Sequence, residues 1–132
     1  MSRFVIQEHY ARSHHFDLRC ERGDVLVSWA VPNGMPTDPK KNRLAIRVED
    51  HALSHLDYAN DTLVGDGAAV KVRIWNRGTY TPHEFGENKV VVTFSGRQIT
   101  GKYAIFRTDG KNWLIQWTSP PLDSPLGRGA GP

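Results

Sequence analysis

The sequence predicts an all-β domain, a small closed β-barrel of about eight short strands with one or two short helices. Three observations carry that expectation. Apolar residues mostly alternate with polar ones, the alternating segments are only four to seven residues long, and they are separated by Gly, Pro, Asn and Asp. The chain of 132 residues is enough for one hydrophobic core, with 39% hydrophobic and 23% charged residues.

In order, the expected strands are Phe4–Gln7, His15–Glu21, Val25–Val31, Arg43–Glu49, Ala69–Trp75, Lys89–Ser95, Lys102–Arg107 and Trp113–Trp117. Gly23-Asp24 and Asp109-Gly110 supply the turn chemistry of two hairpins, one joining the second and third strands and one joining the last two. Between Pro32 and Asn42 three prolines and a glycine exclude both a central strand and a helix. Asp50–Asp57 opens on a residue suited to an N-cap, and a short helical turn there would set His51 and His55 on one face. The domain is expected to span residues 1–118, with residues 119–132, rich in proline and glycine, as a disordered tail. Trp29, Trp75, Trp113 and Trp117 fall in strands and read as core or barrel-rim residues.

No apolar run reaches the ~20 residues of a membrane span. The N-terminal MSRFVIQEH lacks a signal peptide's apolar stretch, so the cytoplasm is the expected compartment. A single cysteine, Cys20, excludes an internal disulfide and a cysteine-based zinc site, leaving histidine and carboxylate as candidate metal ligands. The net charge of +3 permits a nucleic-acid partner without requiring one.

Five of the six histidines lie between residues 9 and 55. Read as a strand, His15 to Glu21 places His15, Asp17, Arg19 and Glu21 on one face and Phe16, Leu18 and Cys20 on the other. A helix would scatter the same residues. A solvated strand face is the bland reading of this pattern, but it does not call for so much histidine. Imidazole beside carboxylate suits Mn²⁺, Zn²⁺ or Fe²⁺, and the planar fork of arginine matches phosphate oxygens. Alternation from Arg43 places Arg43, Arg47 and Glu49 away from the core. His14 falls opposite His15 and is assigned no role.

The stretches FVIQEHYARSHHFDLRCERGDVLVSWAVPNG, RLAIRVEDHALSH, GDGAAVKVRIWNRGTY, GKYAIFR and NWLIQ resemble the 3′-phosphoesterase domain of bacterial DNA ligase D and its stand-alone relatives. The likeness runs from Phe4 to Trp117, and the H-x₅-H-x-D-x-R element with the downstream VEDH is its most specific part. The resemblance implies a manganese-dependent enzyme that removes a 3′-terminal ribonucleoside and then the remaining 3′-phosphate from DNA or RNA-tailed DNA ends. It implies His9, Asp17 and His51 as metal ligands for Mn²⁺, with Co²⁺ or Zn²⁺ as substitutes, and His15, Arg19 and Arg43 as the phosphate-binding and catalytic shell. Two positions depart from the family pattern: His55 stands where a tyrosine is usual, and Asn33 replaces the lysine of AVPKG. Asn33 would border the substrate without a charge. His55 joins His15 as a candidate proton donor. A separate ligase or polymerase of an end-joining system is the expected protein partner.

Two other readings compete with the enzyme. A nucleic-acid end-binding module of the same fold would have no need of the ligand set, and a small-molecule-binding barrel would carry an apolar pocket in place of the arginines.

Overall fold

The computed structural model describes residues 2–10, 13–57, 59–64 and 68–119. Nine strands follow one another: β1 (Arg3–Tyr10), β2 (His15–Arg22), β3 (Val25–Val31), β4 (Arg43–Ala52), β5 (Asn60–Val64), β6 (Ala68–Phe85), β7 (Lys89–Gly96), β8 (Thr100–Asp109) and β9 (Asn112–Ser119). A 3-10 helix, Leu53–Asp57, follows β4. Neighbours run β1-β2-β3-β4-β9-β8-β7-β6, all antiparallel, and β6 pairs back onto β1, so eight strands close into a barrel. β5 is a ninth strand added to the N-terminal part of β6.

The alternation that marked the strands also fills the barrel. Phe4, Ile6, Leu18, Cys20, Trp29, Val31, Ala45, Phe94, Ile105, Trp113 and Ile115 all point into one core. Trp29 and Trp113 meet edge to face with centroids 5.7 Å apart, and Trp75 and Trp117 pack half-buried against the same core. Cys20 is buried there, which pushes its thiol pKa up and leaves it an inert small hydrophobe. Gly23 (φ 64°) and Gly110 (φ 56°) take the left-handed conformation that the two expected hairpins require.

Several elements differ from the expectation. β6 runs for 18 residues instead of seven, because it serves three partners, β5 over Ala68–Val72, β1 over Lys71–Thr79 and β7 from Gly78 onward. β5 was not expected at all. The Asp50–Asp57 helical turn is divided: β4 continues through Ala52, and only Leu53–Asp57 is helical. Residues 32–42 contain neither strand nor helix, as their prolines demand. The expected tail lies outside the described residues except for Ser119, which ends β9.

The face of β4 is the consequential correction. Arg43 pairs with Ile115 and Arg47 with Trp29, so both arginines lie on the side of β4 that turns toward the core, Arg47 with its guanidinium 5.5 Å from the Trp29 ring. The reason is that Ala45 faces the core opposite Trp113, which carries Arg43 and Arg47 to the same side by alternation, and a bulge beyond them then sets His51 apart. Ser28 pairs with Val48 and Leu26 with His51, so β4 uses three residues where β3 uses two, and His51 returns to the outer face from which Arg43 is absent.

β1 is buried on both sides. Phe4 and Ile6 face the core, while Val5 and Gln7 lie beneath the 3-10 helix, whose Leu56 packs with Val5 and Leu26. The outer wall of β1–β3 is thus a second covered surface.

The β6–β7 ladder carries a sharp prediction. A Cβ on Gly78 would stand 2.1 Å from the Ser95 carbonyl oxygen, a backbone atom that cannot move without parting β6 from β7. Gly78→Ala is expected to destabilise the fold by ~1–3 kcal/mol or more, measured by urea unfolding. A midpoint equal to the wild type would show that this ladder is loosely packed.

Candidate active site

On the outer face of β1 and β2, the register sets Val5 opposite Arg19, Gln7 opposite Asp17 and His9 opposite His15. Directly opposed side chains share a face, so three cross-strand pairs assemble the cluster without any loop. Asp17 is its centre. Its Oδ2 lies 3.6 Å from His9 Nδ1 and 3.7 Å from Arg19 Nη2, and its Oδ1 lies 3.3 Å from His15 Nε2. The His9 and His15 rings are 4.7 Å apart. One ligand atom from each of His9, His15 and Asp17 falls within 4.8 Å of the other two.

Burial makes this arrangement energetically significant. Asp17 and Arg19 are 8% and 7% exposed, so neither charge is well hydrated. Burial pushes the Asp17 carboxyl up, but the hydrogen bond from His15 and the charges of Arg19, His15 and His9 outweigh it and hold the carboxyl below its ordinary range. Desolvation lowers the Arg19 pKa against the opposing pull of Asp17. His15 is raised, chiefly by its hydrogen bond to Asp17.

The donor set fits a cation. His15 Nδ1 faces the Ser13 carbonyl at 3.3 Å and therefore donates to it, which leaves Nε2 facing a carboxylate oxygen. Two acceptors around one imidazole require either a second proton or a cation between ring and carboxylate. Half-buried His beside a buried Asp suits a transition ion, with His9, His15 and Asp17 as the residues in place to hold it.

Arg19 is held from behind. Its Nε donates to Gln7 Oε1 at 2.8 Å, while Gln7 Nε2 donates to the His55 carbonyl at 2.7 Å, so one buried carboxamide ties the guanidinium to the 3-10 helix. Arg19 Nη1 lies 3.1 Å from His51 Nδ1, which also lies 3.0 Å from the Glu49 carbonyl. The two contacts demand opposite tautomers, and the one that donates to Glu49 leaves Nε2 as the ligating atom. The His51 and His55 rings meet edge to face at 4.9 Å, the convergence expected of a helical turn but made by a strand and a 3-10 helix. Burial, then Arg19 and His51, lower the His55 pKa.

His9, His15, Asp17, Arg19, His51 and His55 are thus brought together, with His51 on the Arg19 side rather than in the His9–His15–Asp17 group. Arg43 is not: it occupies the other face of β4, beyond the Ala30–Ile46 pair at the end of the barrel where β2 begins. Asn33 is exposed and, among the described residues, no side-chain contact joins it to the cluster. Gln7 was missed by the sequence reading. Its signal was a polar residue in register with Val5 and His9, on the face that would have to be buried if the strand were covered.

Residues 7–107 match the family model of the DNA Ligase D 3′-phosphoesterase domain. The multifunctional non-homologous end joining protein LigD of Mycobacterium bovis is 45% identical over 115 residues, covering 84% of this chain and 15% of that protein. LigD of Mycolicibacterium smegmatis is 40% identical over 123 residues, 85% of this chain and 16% of its own length. LigD of Pseudomonas aeruginosa is 36% identical over 120 residues, 87% and 14% respectively. The chain therefore matches about one sixth or less of the length of these relatives.

Gln7→Met keeps the volume but leaves the Arg19 Nε–H and the His55 carbonyl without their partner, and is expected to cost ~1–3 kcal/mol in urea unfolding. The His15–Asp17 pair carries a pH signature in the metal-free protein. A raised His15 pKa contributes stability that is complete below the ordinary ~6.5 and is lost as pH rises through the folded value; a lowered Asp17 pKa contributes stability present above ~3.9 and lost as pH falls through its own. Asp17→Asn should move the His15 ring titration, followed by NMR, to lower pH, and an unmoved titration would show that the two groups do not interact.

Proposed function

The chain belongs to the DNA ligase D 3′-phosphoesterase domain family, and on that premise we propose that it is a manganese-dependent phosphoesterase that heals 3′ ends of DNA or RNA-tailed DNA. It would remove a 3′-terminal ribonucleoside and then the 3′-phosphate, leaving a 3′-hydroxyl for a ligase or polymerase of an end-joining system. The observation that carries this reading is a buried Asp17 flanked by His9, His15 and Arg19 on one face of the barrel wall. An end-binding module would have no need to bury those charges together.

In the proposed site His9, Asp17 and His51 would hold the ion. Bound there, Mn²⁺ would supply Lewis acidity toward a non-bridging phosphate oxygen. Arg19, pinned by Gln7, offers its remaining N–H groups to a second oxygen, and because it is already oriented it need not reorganise as charge builds up. His15, whose Nε2 lies 3.3 Å from Asp17 Oδ1 on the same wall, is assigned as the proton donor to the leaving oxygen, with His55 as the alternative. Water is the nucleophile in phosphate removal. Arg43 and Asn33 are assigned to the strand beyond the scissile phosphate.

One observation favours a variant of this scheme: the His9–His15–Asp17 group is tighter than any set containing His51 among the described residues, which would make His15 the third ligand.

Purified protein with Mn²⁺ is expected to convert one primer ending in a ribonucleotide and another ending in 3′-phosphate. His9→Ala and Asp17→Asn should each slow both conversions by ~100-fold or more and weaken Mn²⁺ binding in calorimetry. Loss of Mn²⁺ affinity in His51→Ala with retention in His15→Ala supports the proposed ligand set, and the reverse pattern supports the variant. Tight end binding without conversion of either primer would leave the end-binding module as the function.

A further inference from the structure

The hairpin that presents His9 and His15 outward carries a different set of side chains on its other face. Tyr10 is 37% exposed, and its ring lies 4.5 Å from that of His14 at an interplanar angle of 7°. His14 in turn lies 5.4 Å from Phe16, and Phe16 lies 5.5 Å from Trp75, so four aromatic rings form a run along the barrel rim.

A buried carboxylate holds the outer end of this run rigid. Glu8 accepts from Tyr10 Oη at 2.7 Å, faces His14 Nε2 at 2.9 Å and accepts from Arg73 Nε at 3.0 Å. One carboxylate thereby fixes both rings and a guanidinium whose side chain is 56% exposed. Lys71, directly opposite Tyr10 in the β1–β6 ladder, is exposed on the same face. A π-face that needs no ordering, flanked by two exposed cations, is complementary to a polyanion with flat bases. Neither the core nor the proposed phosphoesterase chemistry has any use for such an arrangement.

We infer that Tyr10 and His14 form a stacking platform for an unpaired nucleobase of the strand being processed, a few nucleotides before its 3′ terminus, with Lys71 and Arg73 meeting the adjacent phosphates. The inference rests on the nucleic-acid reading of the site but not on catalysis. Its place is set by chain connectivity: His9 precedes Tyr10 and His14 precedes His15, so the platform and the proposed reaction site are the two faces of one hairpin end. A strand leaving the site over that end meets the platform next. The base is recognised by its π-face and not by its edge, so the platform would bind all four bases.

The test uses the full chain and oligodeoxynucleotides ending in 3′-hydroxyl, which undergo no conversion, with 5-iodouracil at each of the last four positions in turn. Irradiation should link one upstream position to Tyr10 or His14, identified by mass spectrometry. Tyr10→Leu, which stays apolar but lacks the π-face, should abolish the link to Tyr10 and weaken binding about tenfold by fluorescence anisotropy, whereas Tyr10→Phe should retain both. Lys71→Gln should lower the slope of log affinity against log salt by roughly one. Crosslinks found only elsewhere, or equal affinity in Tyr10→Leu, would overturn the platform. Conversion of the primers without the Tyr10 link defeats this inference alone, and the link without conversion defeats the proposed activity alone.

Discussion

The pairing of β6 back onto β1 is the constraint from which the rest follows. It closes the sheet, and among the described residues the interior of the eight-stranded barrel is packed with side chains. Chemistry is consequently confined to the wall and the rim. Closure also makes β1 a central strand, hydrogen-bonded on both edges, and covers both of its faces, one with the aromatic core and the other with the 3-10 helix. His9 and Gln7 are therefore carried by one of the most constrained segments of the molecule.

That rigidity is what allows charge to be buried at the wall. Asp17 and Arg19 are both largely withdrawn from water, a costly arrangement unless each is held against a partner. Asp17 is compensated by two imidazoles and the guanidinium, and Arg19 by Asp17 and Gln7. The carboxamide of Gln7 contributes in both directions, accepting from Arg19 and donating to the 3-10 helix. Cluster and cover thus hold each other in place, and a cation bound at the histidines would enter a field that is already organised.

The β1–β2 hairpin illustrates how strand alternation lets one short segment face two environments. His9, His15 and Asp17 point outward, while Glu8, Tyr10, His14 and Phe16 point to the core side, where Glu8 anchors the rim as Asp17 anchors the site. Each face has a buried carboxylate holding imidazole and guanidinium. The difference lies in what surrounds them: at the site the rings surround a carboxylate and are positioned to share a cation, and at the rim they stack and leave a π-face open to water.

Much of this was legible in HYARSHHFDLRCE itself. Period-two alternation sorted His15, Asp17 and Arg19 from Phe16, Leu18 and Cys20, the Gly23-Asp24 and Asp109-Gly110 turns announced their hairpins, and the prolines of residues 32–42 excluded regular structure, because each of these depends on neighbours within a few residues. The extent of β6 and the existence of β5 were hidden, since a strand with three partners and a strand added at an edge are defined by hydrogen bonds to distant chain. The face of β4 was read wrongly because the small Ala45, and not Leu44 or Ile46, meets the core opposite Trp113, and a bulge opposite Leu26 and Ser28 then brings His51 to the outer face and leaves Arg43 on the other. Local sequence determined which residues share a strand face, because alternation is a property of the backbone alone. Only the closed barrel decided which faces are covered and which strand ends meet, because burial and register come from contacts between segments far apart in the chain.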